Sequence, residues 1–581
     1  MDSRKQRKIL ILNLAIAVLI ISAIMFVIEA TGAAGLTYKS TGDGIDTIGR
    51  VYTHVLRDYV KPVDPNELAK NAAEGILKNL DPYSTFLPPK DITNLFEDTK
   101  GEFGGLGIEI ASPDEYPRVM STPISGSPAE SVGLRAGDII VKINNESTRG
   151  MNINEVVSRL RGKVGTKVTI QVKRGNREDL IPFTITRAKI ILKNIPFSGE
   201  IEKDIGYIKL NHFNQEASDE MSYTLNNLTK NENLKGVILD LRSNPGGLLV
   251  AAQAIASKFL PRESLIVFTL GREPKSRINL NARNKPLLIN TPLVVLINRF
   301  SASASEIVAG AIQDWDRGVL IGETTFGKGS VQTVFEDLPN AAGFKLTTAH
   351  YYTPSGRCIH NEHNLDMDYV EMQMGYEDSD NNYAEKDSLK TRDKFYTKNK
   401  DRVVYGGGGV TPDIIVREKK LGNIVVQLLS QNVFFDFAVE YSQKISELSE
   451  DFTITDEMVN EYKSFINNEK VFSYTIPGKS SLDNFRKTVE REKINGDIVG
   501  MIDNLEETLK AKQDEDFEAN REDIKRYLKR DIASVKFGAA ARTTASKEWD
   551  IQLKKALEIL EDQTKYDAIL AQGAETGVVA Q

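Results

Sequence analysis

One cysteine in the whole chain, Cys358, excludes an internal disulfide framework and a cysteine-rich zinc site. It falls in a predicted strand-to-turn segment, which fits a small buried apolar residue better than a nucleophile. Histidine is almost as scarce. His54, His212 and His350 stand apart, and His360 and His363 have an H-x-x-H spacing unlike the H-E-x-x-H of zinc proteases. No metal site and no cofactor are expected. An excess of either charge is missing too: a net charge of −7 leaves no electrostatic footprint for nucleic acid. What remains is a globular composition, 40% hydrophobic and 27% charged, over 581 residues. Single cores rarely grow beyond ~250–300 residues, so several domains are expected.

The amino terminus sets the compartment. Arg4, Lys5, Arg7 and Lys8 precede Ile9–Ile28, interrupted only by Asn13 and Ser22. A helix over that run spans ~30 Å, the thickness of a bilayer core. A signal peptide has a shorter apolar region of ~7–15 residues, although Gly32-Ala33-Ala34 offers it a cleavage site. Residues 1–30 are read as an uncleaved anchor whose basic flank stays inside, so the bulk of the chain is exported. The expectation is a single-pass cell-membrane protein with its catalytic part in the periplasm or outside the cell.

Behind a linker, residues 43–100 read as an N-terminal helical region closed by Pro88-Pro89, with apolar residues recurring near period 3.6 over Ile45–Leu80. Residues 101–188 carry Phe103-Gly104-Gly105-Leu106-Gly107-Ile108-Glu109-Ile110, a glycine loop running into a strand, and predict a helix over Ile153–Leu160 and strands over Val168–Lys173 and Leu180–Thr186. Residues 189–418 alternate strands (Ile205–Leu210, Val237–Leu241, Leu293–Ile297) with helices (Ala217–Leu228, Leu249–Phe259), the pattern of an α/β sheet with crossovers and a site beyond the strand ends. Within them, residues 362–400 form an acidic insertion, whose acidic stretch Glu362–Asp387 reads as a solvated loop. Residues 419–581 are charged and helical, with one apolar stripe of Leu429, Phe434, Phe437, Ala438 and Tyr441 and another of Trp549, Leu553, Ala556, Leu557 and Leu560. This last region reads as an appendage for tethering or oligomerisation.

Two short segments carry chemistry. Ser301-Ala302-Ser303-Ala304-Ser305-Glu306 runs into a helical pattern, and Phe326-Gly327-Lys328-Gly329-Ser330-Val331-Gln332 pins a lysine between glycines. A serine hydroxyl is a weak nucleophile at neutral pH, and a lysine is one of the bases that activate it. Two plainer readings compete. Ser303 and Glu306 also fit the S-x-x-E capping box of a helix over Glu306–Trp315. Gly322–Lys328 fits a P-loop up to its last position, where Gly329 replaces the magnesium-holding hydroxyl, and the alternating residues that follow predict a strand instead of a helix. The residues alone do not rank Ser301, Ser303 and Ser305.

These segments resemble the carboxy-terminal processing serine peptidases, also called tail-specific proteases. Leu80-Asp81-Pro82-Tyr83-Ser84, Asp240-Leu241-Arg242-Ser243-Asn244-Pro245-Gly246-Gly247 and Tyr352-Thr353-Pro354-Ser355-Gly356-Arg357 extend the likeness, in the family's order, over roughly Asp43 to Val416. The resemblance implies a ClpP/crotonase-like α/β protease core with crossover helices, a β-rich PDZ domain at 101–188, and helical N- and C-terminal regions. It implies Ser303 as nucleophile, Lys328 as base and Gln332 as the residue orienting the lysine, since period two would put Gln332 on the same strand face. The oxyanion hole would use Ala304 N–H with Gly246 or Gly247, a choice left open. Gly105, Leu106, Gly107 and Ile108, with Val156 and Leu160, would bind peptide tails, because a glycine nest suits a free carboxylate. Implied partners are proteins or peptides with free C-termini and further copies of the chain. The alternative is a PDZ adaptor with a silent protease fold.

Overall fold

A computed structural model describes residues 40–112, 115–175, 179–361, 392–445, 447–468, 471–475, 478–492, 498–545 and 547–571. The predicted anchor Ile9–Ile28 and most of the acidic insertion lie outside them. Among the described residues no helix is long and apolar enough to cross a membrane. The chain divides into two compact units, Met1–Leu80 and Asp81–Gln581. In the first, the expected helices are Thr41–Asp58 and Pro65–Leu77. Ser40 and Asp43 cap the first reciprocally, while Asp64 caps the second with Pro65 at its first position.

In the second unit, residues 101–188 form the expected β-rich domain. Its antiparallel sheet runs Ile110–Ala111, Arg118–Val119, Ile139–Ile143, Lys167–Lys173 and Ile181–Thr186. One helix, Ile153–Leu160, closes a core that includes Val119, Ile140, Val156, Leu160 and Ile170.

The larger fold is a six-stranded sheet built from β1 (Phe197–Glu202), β2 (Ile205–Lys209), β3 (Gly236–Asp240), β5 (Leu293–Ile297), β6 (Val319–Gly322) and β9 (Ile414–Ile415), in that order. All neighbours are parallel except β1 and β2. Its central strands read as continuous apolar runs because both faces are covered. Val237, Leu239, Val295, Ile297 and Leu320 face α1 (Ala217–Leu228), α2 (Leu249–Ala256) and α3 (Ala304–Asp314). The alternate residues Tyr207, Ile238, Val294, Leu296 and Ile321 face α4 (Ile551–Glu561) and α5 (Gln563–Ala571). A second sheet pairs Thr85–Leu87, β8 (Gly343–Tyr352), β4 (Leu265–Gly271) and Ile278–Asn281, with β7 (Ser330–Phe335) also on β8.

At the end of the acidic insertion, past the Glu362–Asp387 stretch, Lys394–Tyr396 pairs with Val403–Tyr405, and buried Arg402 pairs with Asp316 and Asp413. One expectation changes: the C-terminal region is not wholly an appendage. Its first stripe does build a separate helical core around Phe434, Phe437 and Ala438. The second stripe instead buries Leu553, Ala556 and Leu560 on the central sheet.

Candidate active site

Three adjacent parallel strands, β3, β5 and β6, deliver turns at their carboxyl ends: 241–247, 298–303 and 323–329. This is the edge where open α/β sheets place their sites. The serine turn is backbone-strained. Ser303 has φ 56° and ψ −112°, outside the regions that non-glycine residues favour, and it directly precedes α3. Its neighbours are committed elsewhere. Ser301 donates its hydroxyl to the Leu241 carbonyl at 2.9 Å, and Ser305 donates to the Asn244 carbonyl at 2.9 Å. Both are fully buried. The Ser303 side chain hydrogen-bonds Tyr351 of β8.

Glu306 joins the serine and lysine turns. Its Oε2 accepts from the Ser303 amide at 2.8 Å and from the Lys328 amide at 2.9 Å. Its Oε1 accepts from the Thr325 hydroxyl at 2.6 Å and from the Gly327 amide at 2.8 Å. Burial pushes this carboxyl up to about 7, while the four donors pull the other way. All four present hydrogens, so both oxygens of Glu306 act as acceptors. The sequence showed Glu306 only as the far end of a capping box, and that half of the box does form. A further strut is the Phe326 amide donating to the Ser301 carbonyl at 3.0 Å.

Lys328 is half-buried in its turn. A Cβ on Gly329 would stand 2.5 Å from the His360 amide nitrogen, so glycine permits the close approach. Burial, then the nearby charge of Lys345, lowers the lysine pKa, and Glu306 opposes both. The ammonium lies 4.6 Å from the centre of the Tyr83 ring. Tyr83 is held there by the Asp81 turn, whose carboxylate takes the Tyr83 and Ser84 amides at 2.8 and 2.9 Å.

Gln332 is not on a strand face shared with Lys328. The strand starts at Ser330 and a bulge between Val331 and Gln332 breaks period two. The Gln332 amide donates to Ser330 and Thr347 at 2.9 and 3.3 Å.

The glycine turn fits against the serine. Gly246 has φ 99°, and a Cβ there would stand 2.8 Å from both the Ala304 nitrogen and the Ser303 Cβ. The missing side chain therefore leaves room in front of the Ala304 N–H. Gly246 donates its own amide to Asn244 Oδ1 at 2.9 Å, whereas Gly247 donates to no acceptor among the described residues. Asn244 is fully buried and also donates to the Leu210 carbonyl at 2.8 Å. Tyr351, Tyr83 and Asn244 were not singled out in the sequence, because their parts depend on strand pairings and turns distant along the chain.

The expected tail-binding residues divide. Leu106, Val156 and Leu160 are buried in the core of their own domain, so the inward face of the helix is spent on packing. Ile108 and Val157 stay partly exposed. The carbonyls of Leu106, Gly107 and Glu109 accept from Ala129, Ile124 and Met120, whereas the Gly107 and Ile108 amides donate to no backbone acceptor among the described residues.

The description "Peptidase family S41" matches residues 204–370, "PDZ domain" matches 119–174, and "Probable PDZ-protease, C-terminal helical domain" matches 424–560. A carboxy-terminal-processing protease of Bartonella bacilliformis is 39% identical over 56% of this chain and 73% of its own length. The carboxy-terminal processing protease CtpA of Bacillus subtilis is 33% identical over 62% and 76% respectively. A carboxyl-terminal-processing protease of Synechocystis is 39% identical over 52% and 71%. The chain belongs to the carboxy-terminal processing serine proteases of peptidase family S41, with a PDZ domain.

Proposed function

We propose that the chain is a Ser-Lys endopeptidase that cleaves exported proteins near their C-termini, tails being selected by the PDZ domain. Ser303 Oγ attacks the scissile carbonyl carbon as Lys328 Nζ takes its proton. The tetrahedral oxyanion is held by the Ala304 N–H and a glycine N–H of the 244–247 turn, Gly247 being the one whose amide has no acceptor among the described residues. Collapse breaks the C–N bond, and Lys328 returns the proton to the leaving amine. Water, deprotonated by the same lysine, then releases the acyl group. The lysine must be neutral to begin, and burial with the Lys345 charge lowers its pKa in that direction. Nζ leaves the Tyr83 ring to reach Ser303, and the Gln332 carbonyl oxygen is the acceptor proposed to orient it.

The observation that carries this reading is the single oxygen of Glu306 that receives both the Ser303 and the Lys328 amides. A fluorophosphonate probe tests it. The wild-type chain should be labelled on Ser303 and cleave peptides, Ser303→Ala and Lys328→Ala should do neither, and Cys358→Ala should do both. A wild-type chain that takes no label is the silent adaptor instead, and full activity in Lys328→Ala at neutral pH would remove the lysine from the mechanism.

A further inference from the structure

Residues Arg242 to Gly247 shape the turn beside Ser303, and what holds their start is not all from the protease sheet. Asp240, buried at the end of β3, accepts from the Tyr207 hydroxyl at 2.6 Å, from Lys209 Nζ at 3.1 Å and from the Arg242 guanidinium at 2.6 Å. Lys209 Nζ also donates to the Arg242 carbonyl at 2.6 Å. The outer edge of the same guanidinium is taken by Asp550, which accepts at 2.9 and 2.7 Å through its two oxygens. Gln552 Oε1 accepts a third bond at 3.1 Å, and its amide donates to the Val416 carbonyl at 2.8 Å. Asp550 is the N-cap of α4, the helix that covers the rear face of the sheet.

Charge makes the arrangement interdependent. Lys209 and Arg242 are two cations in a buried setting, and Asp240 alone balances one of them. Asp550 supplies the second negative charge, so the cluster is neutral only when the C-terminal helix is seated. Truncating one partner of a desolvated charge pair costs far more than a surface pair contributes, because the other is left uncompensated. The guanidinium is planar and pre-organised, so carboxylates on both edges fix its orientation and that of its backbone. From Arg242 the chain passes through Ser243, whose amide donates to Asn298 at 2.8 Å, to Asn244 and Gly246 against Ser303.

We infer that Asp550 and Gln552 are positioning residues for the peptidase reaction, acting through Arg242 on the turn that faces Ser303 and Ala304. This rests on the Ser303 reading above. The C-terminal helix is then part of the catalytic support, and loss of its contacts to Arg242 alone would misplace the glycine turn while the Ser303 and Lys328 turns stay joined by Glu306.

The test separates cap from charge. Asparagine caps a helix as well as aspartate does, so Asp550→Asn keeps the Leu553 amide satisfied and removes the charge together with the second acceptor of the Arg242 guanidinium. In the full chain, Asp550→Asn should lower kcat and the rate of Ser303 labelling roughly 10- to 100-fold, the scale of a misplaced reacting group, with KM within about threefold. Arg242→Gln should do the same, and the double variant should be no worse than the worse single one. Gln552→Met should show a smaller loss, again in kcat, and serves if Asp550→Asn does not fold. Unchanged kcat in the folded variants, or losses in Asp550→Asn and Arg242→Gln that multiply, overturns the inference while leaving the serine reading intact. A wild-type chain that neither labels nor cleaves overturns both.

Discussion

Lys328 is held between opposing influences that set what pH does to this protein. Burial and Lys345 disfavour its charge, while Glu306 favours it, as does the Tyr83 ring 4.6 Å away. The net effect is a lowered pKa. Between that value and the ~10.4 of an unfolded lysine, the unfolded chain binds more protons than the folded one. The lysine's contribution to stability therefore rises with pH across that window, and under the proposed Ser-Lys mechanism cleavage should rise through the folded pKa. Replacing it removes the desolvation cost along with the proposed base. Lys328→Met should be inactive yet no less stable than wild type near pH 7, measured by denaturant midpoints. A marked loss of stability would show a charged, paired lysine that the chemistry cannot use. Glu306 titrates the opposite way: with its carboxyl raised to about 7, it loses stability as pH climbs from the ordinary glutamate range through that value.

At the scale of elements, the proposed tail-binding role of the PDZ segment would rest on main-chain donors more than on side-chain pockets. With Leu106, Val156 and Leu160 committed to the core, a bound tail would meet the Gly107 and Ile108 amides, which have no backbone acceptor among the described residues, and the partly exposed Ile108 and Val157 side chains. The carboxylate should then matter more than the terminal side chain. Peptides with a free C-terminus should be cleaved with roughly 10-fold lower KM than their amides, since hydrogen bonds to a charged group contribute ~1.5–3 kcal/mol. Equal KM for acid and amide in the intact enzyme would mean that the PDZ domain does not read tails. The domain is also tied to the C-terminal helices, with Arg118 paired to Asp436 and the Thr122 hydroxyl donating to the Val535 carbonyl at 2.9 Å.

On the scale of the whole molecule, the rear face of the protease sheet is closed by α4 and α5. Truncation after residue 545 would uncover Tyr207, Ile238, Val294, Leu296, Val319 and Ile321 together. Each buried apolar side chain contributes ~1.5–3 kcal/mol, and a domain's net stability is only ~5–15 kcal/mol. The truncated chain should therefore be insoluble or lack a cooperative thermal transition. A soluble, active truncated protein would restore the appendage reading and remove Asp550 from the catalytic support.

Local pattern was enough for much of this. Strand and helix periods located the sheet and the helical ends, because side-chain alternation is written along the chain itself, whereas the PDZ segment was implied by resemblance. The S-x-x-E and G-K-G segments likewise exposed the serine and lysine turns, since turn chemistry is local. Other decisions needed distant residues to meet. Ser301 and Ser305 lose their hydroxyls to carbonyls at Leu241 and Asn244, which leaves Ser303 apart. The bulge at Val331 and Gln332 follows from pairing with β8 and undoes a period-two argument that was sound for a regular strand. Glu306 looks like an ordinary cap until the turn at 325–328 folds over it. The stripe at Leu553–Leu560 announced a buried face but not its partner: amphipathicity specifies that a surface must be covered, and only the tertiary fold decides by what.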